Sequence, residues 1–163
     1  MKYLILILLA MNVAFADAQT VTTVILVRHA EKATDDPKDP DLSDAGKQRA
    51  QHLARVLRKT KVDAIYSTPY KRTRNTAAPL AESKGLSVLT YDPSKKEELD
   101  LMVQKFAGGT IVVVGHSNTI PTFANHLTGK TDFQNFNDNE YDNLLVISVV
   151  DSGKISKTVW LVY

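Results

Sequence analysis

The 163-residue sequence contains no cysteine. Disulfides are therefore excluded, as are a thiol-linked lipid anchor and any hydrolase chemistry that runs through a thiolate. Charge of one sign is also scarce: 20 Lys and Arg against 18 Asp and Glu leave a formal net charge of +2. That excess is too small to attract a polyanion, so nucleic acid is not expected as a partner, and no block of like charges reads as a tail. Internal repeats and low-complexity tracts are missing. So are a phosphate-cradling P-loop and the H-E-x-x-H zinc motif, and His29-x-Glu31 has no partner at ligand spacing; neither a metal centre nor a cofactor is expected. No apolar run reaches the roughly 20 residues that a membrane-spanning helix requires.

What is present is an ordinary globular composition, 44% hydrophobic and 23% charged, at a length that suits one domain. The N-terminus departs from it. Met1-Lys2 gives a short positive start, Tyr3 to Val13 is apolar apart from Asn12, and small residues follow at Ala14-Phe15-Ala16 and Ala16-Asp17-Ala18. This is the order of a secretory signal peptide. The expectation is a signal peptide over 1–18 and a single domain over 19–163, exported to a periplasm or secreted, with no stable membrane span after cleavage.

Along the remaining chain, strand and helix patterns alternate. The β-branched run Val21 to Val27 reads as a buried strand ending at Arg28-His29. A polar loop with Pro37 and Pro40 follows, and Ser43 is placed to cap a helix running to about Lys59. Val62 to Tyr66 predicts a second strand, then a helix from Tyr70 to Lys84 stopped by Gly85. Leu86 to Tyr91 predicts a third strand and Pro93 to Phe106 a third helix. Thr110 to Val114 is a fourth strand ending at Gly115-His116, with a helix from Thr119 to Leu127 closed by Gly129. Thr131 to Asp142 is polar and irregular. Leu144 to Val150 and Ile155 to Val162 form a hairpin about Asp151-Ser152-Gly153-Lys154. The pattern predicts an α/β fold, a three-layer sandwich around a largely parallel sheet.

In such folds, sites lie beyond the carboxyl ends of the strands. His29, Ser67-Thr68-Pro69, Asp92 and His116 follow strands one to four, so polar groups from four strands can converge. Phosphoryl transfer to a side chain needs a nucleophile, cations for the phosphate oxygens and a proton for the leaving group. Neutral imidazole attacks without a metal if its other ring nitrogen is held as a donor. Arginine's planar fork meets phosphate oxygens in pairs. Arg28-His29 supplies both functions.

The segment Val24-Ile25-Leu26-Val27-Arg28-His29-Ala30-Glu31 resembles the strand and Arg-His-Gly motif of the histidine phosphatase superfamily, also called phosphoglycerate mutase-like. Leu42 to Ala50 is similar to that family's first-helix segment. Ser67 to Ala77 is similar to its Ser-Ser-Pro-x-x-Arg-Ala-x-Gln-Thr-Ala segment, and Val112 to Ser117 to its second-histidine strand. The resemblance implies a phosphatase that hydrolyses phosphomonoesters through a phosphohistidine, without metal. His29 would be the nucleophile, and Arg28, Arg72 and His116 the phosphate pocket, with Asn118 as a further phosphate donor or, with Ser117, a helix cap. Lys71 and Arg74 read as solvated.

Departures from the family pattern narrow the reading. Ala30 replaces a common glycine. Ser117 stands where the acid-phosphatase and phytase branch has its aspartate, and only Asp92 to Gly109 occupies the place where mutases carry a longer insertion. The general acid is therefore open between Asp92, which is favoured, and Glu31; Glu97 and Glu98 read as solvated helix residues. Tyr141 and Asp142 are placed to fold over the pocket, while His52 and His126 read as surface or packing residues. A short cap admits a phosphorylated small molecule, a phosphosugar, a lipid-linked phosphate or a phosphoprotein. Alternatives are a phosphohistidine phosphatase acting on proteins and a non-catalytic phospholigand binder.

Overall fold

The structure, a computed structural model, describes residues 20–150 and 155–163. The signal peptide expected at 1–18 and the tight turn expected at 151–154 lie outside the described residues. In chain order the elements are β1 (Val21–Arg28), α1 (Asp44–Val56), β2 (Ala64–Ser67), α2 (Lys71–Lys84), β3 (Val88–Thr90), α3 (Lys96–Lys105), β4 (Thr110–Gly115), α4 (Thr119–Thr128), β5 (Asn143–Val150) and β6 (Ile155–Val162).

The strands form one six-stranded sheet in the order β3-β2-β4-β1-β5-β6. The first four are mutually parallel, whereas β5 runs antiparallel to β1 and β6 antiparallel to β5. Successive residues of a strand face opposite sides of the sheet, and here both sides are covered. Val24, Leu26, Ile111 and Val113 pack towards Leu99 and Met102 of α3 and Ile120 and Phe123 of α4. Ile25, Val27, Val112 and Val114 pack towards Leu53 and Leu57 at α1 and Leu80 and Ala81 of α2. Two-sided burial is why β1 and β4 read as nearly unbroken apolar runs. Truncating the fully buried Phe123 to alanine in such an interior costs about 3–5 kcal/mol.

Two helices start or stop more than one residue from their expected limits. Ser43 caps α1 as its position implied, Oγ accepting from Gly46 N at 3.1 Å, but the helix ends at Val56 rather than Lys59. Helix α3 begins at Lys96 rather than Pro93, because the Asp92 carboxylate accepts from Ser94 N and bends the chain into a local turn. Gly46 matters for the site. A Cβ there would overlap the carbonyl oxygen of Glu31, so only glycine lets α1 lie against the loop that leaves β1.

The register does the positioning. Arg28 pairs with Gly115 across β1 and β4, and Ser67 pairs with Val114 across β2 and β4. The main-chain N–H of His29 donates to Gly115 O at 2.9 Å. Three strand ends thus finish level, and the residues just beyond them share one edge.

Candidate active site

Arg28 and His29 close β1 in a nearly buried environment, 3% and 4% exposed. His29 Nδ1 is 2.8 Å from Ala30 O. A carbonyl only accepts, so Nδ1 carries the hydrogen and Nε2 keeps its lone pair. Burial pushes the His29 imidazole down to about 3 against the opposing bond to Ala30, with His116, Arg28 and Arg72 adding to the depression. The ring is therefore neutral at physiological pH, oriented and unprotonated at Nε2, as a nucleophile requires. Ala30 N donates to Thr76 Oγ1 at 2.9 Å, which ties this loop to α2.

His116 follows β4, its ring centroid 5.4 Å from that of His29 in an edge-on arrangement. Its main-chain N–H donates to Thr119 Oγ1 at 2.9 Å, and its ring Nε2 is 3.0 Å from Thr68 Oγ1. Burial, followed by the charges of Arg72 and Arg28, lowers its pKa to about 4. Arg72, in the first turn of α2, lays its guanidinium 4.4 Å from the Tyr70 ring centroid, with Nη1 3.7 Å from Asp39. Arg74 turns away and donates to Thr90 Oγ1.

Arg28 is held by the irregular segment 131–142. Its Nη1 donates to the main-chain oxygens of Asn137, Asp138 and Glu140 at 2.7, 3.2 and 2.9 Å, and Tyr141 lies under it, 4.2 Å from Cζ to ring centroid. Tyr141 is also 6.0 Å from the His29 ring. The main-chain oxygen of Asp142 accepts instead from Tyr163 N. The Nε atoms of Arg28 and Arg72 are both buried without a partner among the described residues. Buried donors of this kind normally have one, and two guanidinium groups beside two imidazoles are the partners of a tetrahedral oxyanion.

The structure brings Arg28, His29, Arg72 and His116 together but not the two carboxylates expected to compete for the role of acid. Glu31 is gripped by Arg49, with contacts of 3.0, 3.0 and 2.7 Å. Burial raises its pKa, but the Arg49 bonds outweigh it and the carboxyl lies below its ordinary value. Asp92 accepts from Ser94 Oγ at 2.7 Å and from Ser94 N at 3.0 Å, which hold its pKa down. It lines a cavity of about 560 Å³ with Pro69, Tyr70, Tyr91 and Glu98. Glu98, expected to be solvated, instead accepts from Asp92 N at 2.8 Å. Asn118 is exposed and forms no side-chain cap on α4. Ser117 contributes its carbonyl to Phe136 N. His126 pairs with Asp100 at 2.8 Å and His52 packs near Tyr163.

Sequence reasoning placed Ser67-Thr68-Pro69 at the converging strand ends but did not single out Tyr70 and Thr73, which with Thr68 surround His116 and Arg72. Their place in Ser67 to Thr73, directly after a strand end, was the available signal. Among the described residues, no group of three or more His, Asp or Glu side chains is placed to hold a metal ion, and no helix is long and apolar enough to cross a membrane.

Residues 24–97 match the profile of the histidine phosphatase superfamily (branch 1). A phosphoserine phosphatase 1 of Hydrogenobacter thermophilus is 45% identical over 75 residues, which cover 42% of this chain and 36% of that relative. The match therefore spans little more than a third of the relative's length. The fold is similar to that of the protein histidine phosphatase SixA solved with tungstate, with TM-score 0.71, 16% identity, and 86% of this chain and 96% of that one covered. It is also similar to a mycobacterial glucosyl-3-phosphoglycerate phosphatase, with TM-score 0.69, 15% identity and coverage of 88% and 99%.

Proposed function

We propose that this chain is a member of the histidine phosphatase superfamily, whose profile residues 24–97 match, and that it hydrolyses phosphomonoesters through a phosphohistidine at His29, without metal. The observation that carries the reading is the His29 ring itself. It is neutral, with Nδ1–H donating to Ala30 O, and it lies beside Arg28, Arg72 and His116. In the first step Nε2 attacks phosphorus while the bond to the leaving oxygen breaks. The two guanidinium groups and His116 receive the non-bridging oxygens, whose charge redistributes in the transition state. In the second step water attacks phosphorus and regenerates His29.

The substrates in reach of this reading are phosphorylated small molecules, phosphosugars, lipid-linked phosphates and phosphoproteins. The curated relative is a phosphoserine phosphatase and one structural neighbour acts on a glucosyl-3-phosphoglycerate, which supports a small ester. A second reading, phosphohistidine hydrolysis on proteins, is supported by the occupied states of Glu31 and Asp92. Imidazole is a better leaving group than an alkoxide and needs less help from a carboxylic acid.

The order of positive, apolar and small residues at 1–18 supports export, and the domain is proposed to work in the periplasm or as a secreted protein. N-terminal sequencing of exported protein beginning near residue 19 is the expected result; retention of Met1 would refute cleavage.

The activity is tested by p-nitrophenyl phosphate hydrolysis in excess chelator, wild type beside His29→Ala. Turnover should survive the chelator and vanish in the variant. Activity persisting in His29→Ala would refute the proposed nucleophile.

A further inference from the structure

Thr73 is fully buried at the start of α2 and its hydroxyl oxygen has three neighbours. Thr68 O is at 3.1 Å, Tyr70 O at 2.9 Å and Thr68 Oγ1 at 2.8 Å. The two carbonyls can only accept, and a Thr73 hydroxyl hydrogen directed to either of them leaves Thr73 Oγ1 as an acceptor. Towards Thr68, Thr73 Oγ1 is then the acceptor and Thr68 must spend its own hydrogen there. Thr68 Oγ1 consequently accepts from His116 Nε2–H at 3.0 Å. Neutral His116 in this arrangement carries a lone pair on Nδ1, which would repel phosphate oxygens.

We propose that Thr73, acting through Thr68, locks His116 in its Nε2–H tautomer, so that His116 takes up a second proton on Nδ1 together with the phosphate and passes it to the leaving oxygen. This rests on the phosphatase reading above. The groups facing His116 are Arg28 and His29 from the end of β1 and Tyr70 and Arg72 from the start of α2. Both arginines oppose its protonation while the site holds no anion, and a phosphate dianion reverses that balance. In the first step the His29 Nε2–P bond forms, the P–O bond breaks, and the Nδ1 proton of His116 moves to the departing alkoxide. In the second, water adds to phosphorus, the P–N bond breaks, and a proton from the water returns to His116 Nδ1. Thr68 and Thr73 are positioning residues in this scheme, and the proton source replaces the carboxylic acid that Glu31 and Asp92 do not supply.

Thr73→Val is a suitable probe because both carbonyls keep other donors, Ser67 Oγ on Thr68 O and Arg74 N on Tyr70 O. It frees the Thr68 hydroxyl to donate into His116 Nε2, which favours the opposite tautomer; Thr73→Ser retains the lock. Imidazole 15N NMR of the full chain should show His116 protonated at Nε2 in wild type and Thr73→Ser, and at Nδ1 in Thr73→Val. Calorimetry with inorganic phosphate in buffers of different ionisation enthalpy should show uptake of about one proton by wild type. Thr73→Val should show markedly less. Alkyl phosphate turnover should fall at least tenfold more than p-nitrophenyl phosphate turnover in Thr73→Val, with rescue by Thr73→Ser. A wild-type His116 protonated at Nδ1 overturns the proposal, as does a Thr73→Val variant matching wild type in tautomer and proton uptake. Absence of ester turnover with the tautomers and proton uptake as described would instead refute the phosphatase reading and the transfer to the leaving group, and would leave the lock standing.

Discussion

The Arg28 guanidinium rests 4.2 Å from the centroid of the Tyr141 ring while its Nη1 donates to three carbonyls of the same segment. A strand-end arginine and an irregular loop more than a hundred residues away therefore organise one another. Tyr141→Ala should loosen this grip without removing charge. The expected loss is about tenfold in kcat/KM, the equivalent of about 1.4 kcal/mol for a partly desolvated cation–π contact. The one tryptophan, Trp160, packs on Phe133 and Phe136 of the same segment, so its emission reports whether the segment stays seated. Unchanged kinetics in Tyr141→Ala would show that the ring plays no part in holding Arg28.

Arg72→Ala should lower kcat by about 10²–10³, the range for losing a donor aimed at transition-state charge. Arg72→Lys should recover only part of the loss. Lysine keeps the charge but has neither the planar fork nor the stacking surface that meets Tyr70. Steady-state kinetics on p-nitrophenyl phosphate decide this. Full activity in Arg72→Ala would remove it from the phosphate pocket.

Acid should destabilise the fold through its two site histidines. His29 at about 3 and His116 at about 4 lie below the ordinary value of 6.5, chiefly because burial penalises the charged form. Between those values and 6.5 the unfolded chain binds protons that the folded chain refuses, so unfolding free energy falls as pH drops from about 6.5 towards 4. Urea titrations at pH 7 and pH 5 should show a larger loss for wild type than for His29→Asn. Equal losses would mean that His29 is not held neutral by the fold.

Glu31→Gln should cost stability rather than selectivity between leaving groups. The change weakens a bidentate, partly buried contact with Arg49, an expected loss of about 1–2 kcal/mol in chemical denaturation. Asp92→Asn should likewise leave the ratio of alkyl to aryl phosphate turnover within a few-fold of wild type. A selective loss on alkyl phosphates in either variant would identify that carboxyl as the acid.

Gly46→Ala should be more damaging than its size implies, because the new Cβ meets backbone rather than a movable side chain. The expected penalty is about 1–3 kcal/mol, with the loop after β1 displaced and activity reduced alongside. Thermal unfolding and turnover measured together test this; a melting temperature equal to wild type would show that α1 shifts freely.

Much of the architecture was legible because it is written in local pattern. Two-sided burial made Val24 to Val27 and Ile111 to Val114 continuous apolar runs, and Ser43 and Gly85 marked helix ends through capping chemistry that involves only near neighbours. The limits of α3 were not legible, because the Asp92 side chain competes for the backbone N–H of Ser94 before the helix can start. The hydrogen-bond chain from Thr73 to His116 was hidden as well, since Thr68 and His116 are 48 residues apart.

The sequence by itself determined the nucleophile candidate and the strand-end placement of the polar groups. Each depends on residue type and on spacing within one segment. Only the tertiary structure decided which charges remain free for a phosphate. Arg49 occupies Glu31 and the segment 137–140 occupies one nitrogen of Arg28, while Nε of Arg28 and of Arg72 are left buried and unmatched. Pairing between distant groups is set by strand register and helix packing, and no local pattern encodes it.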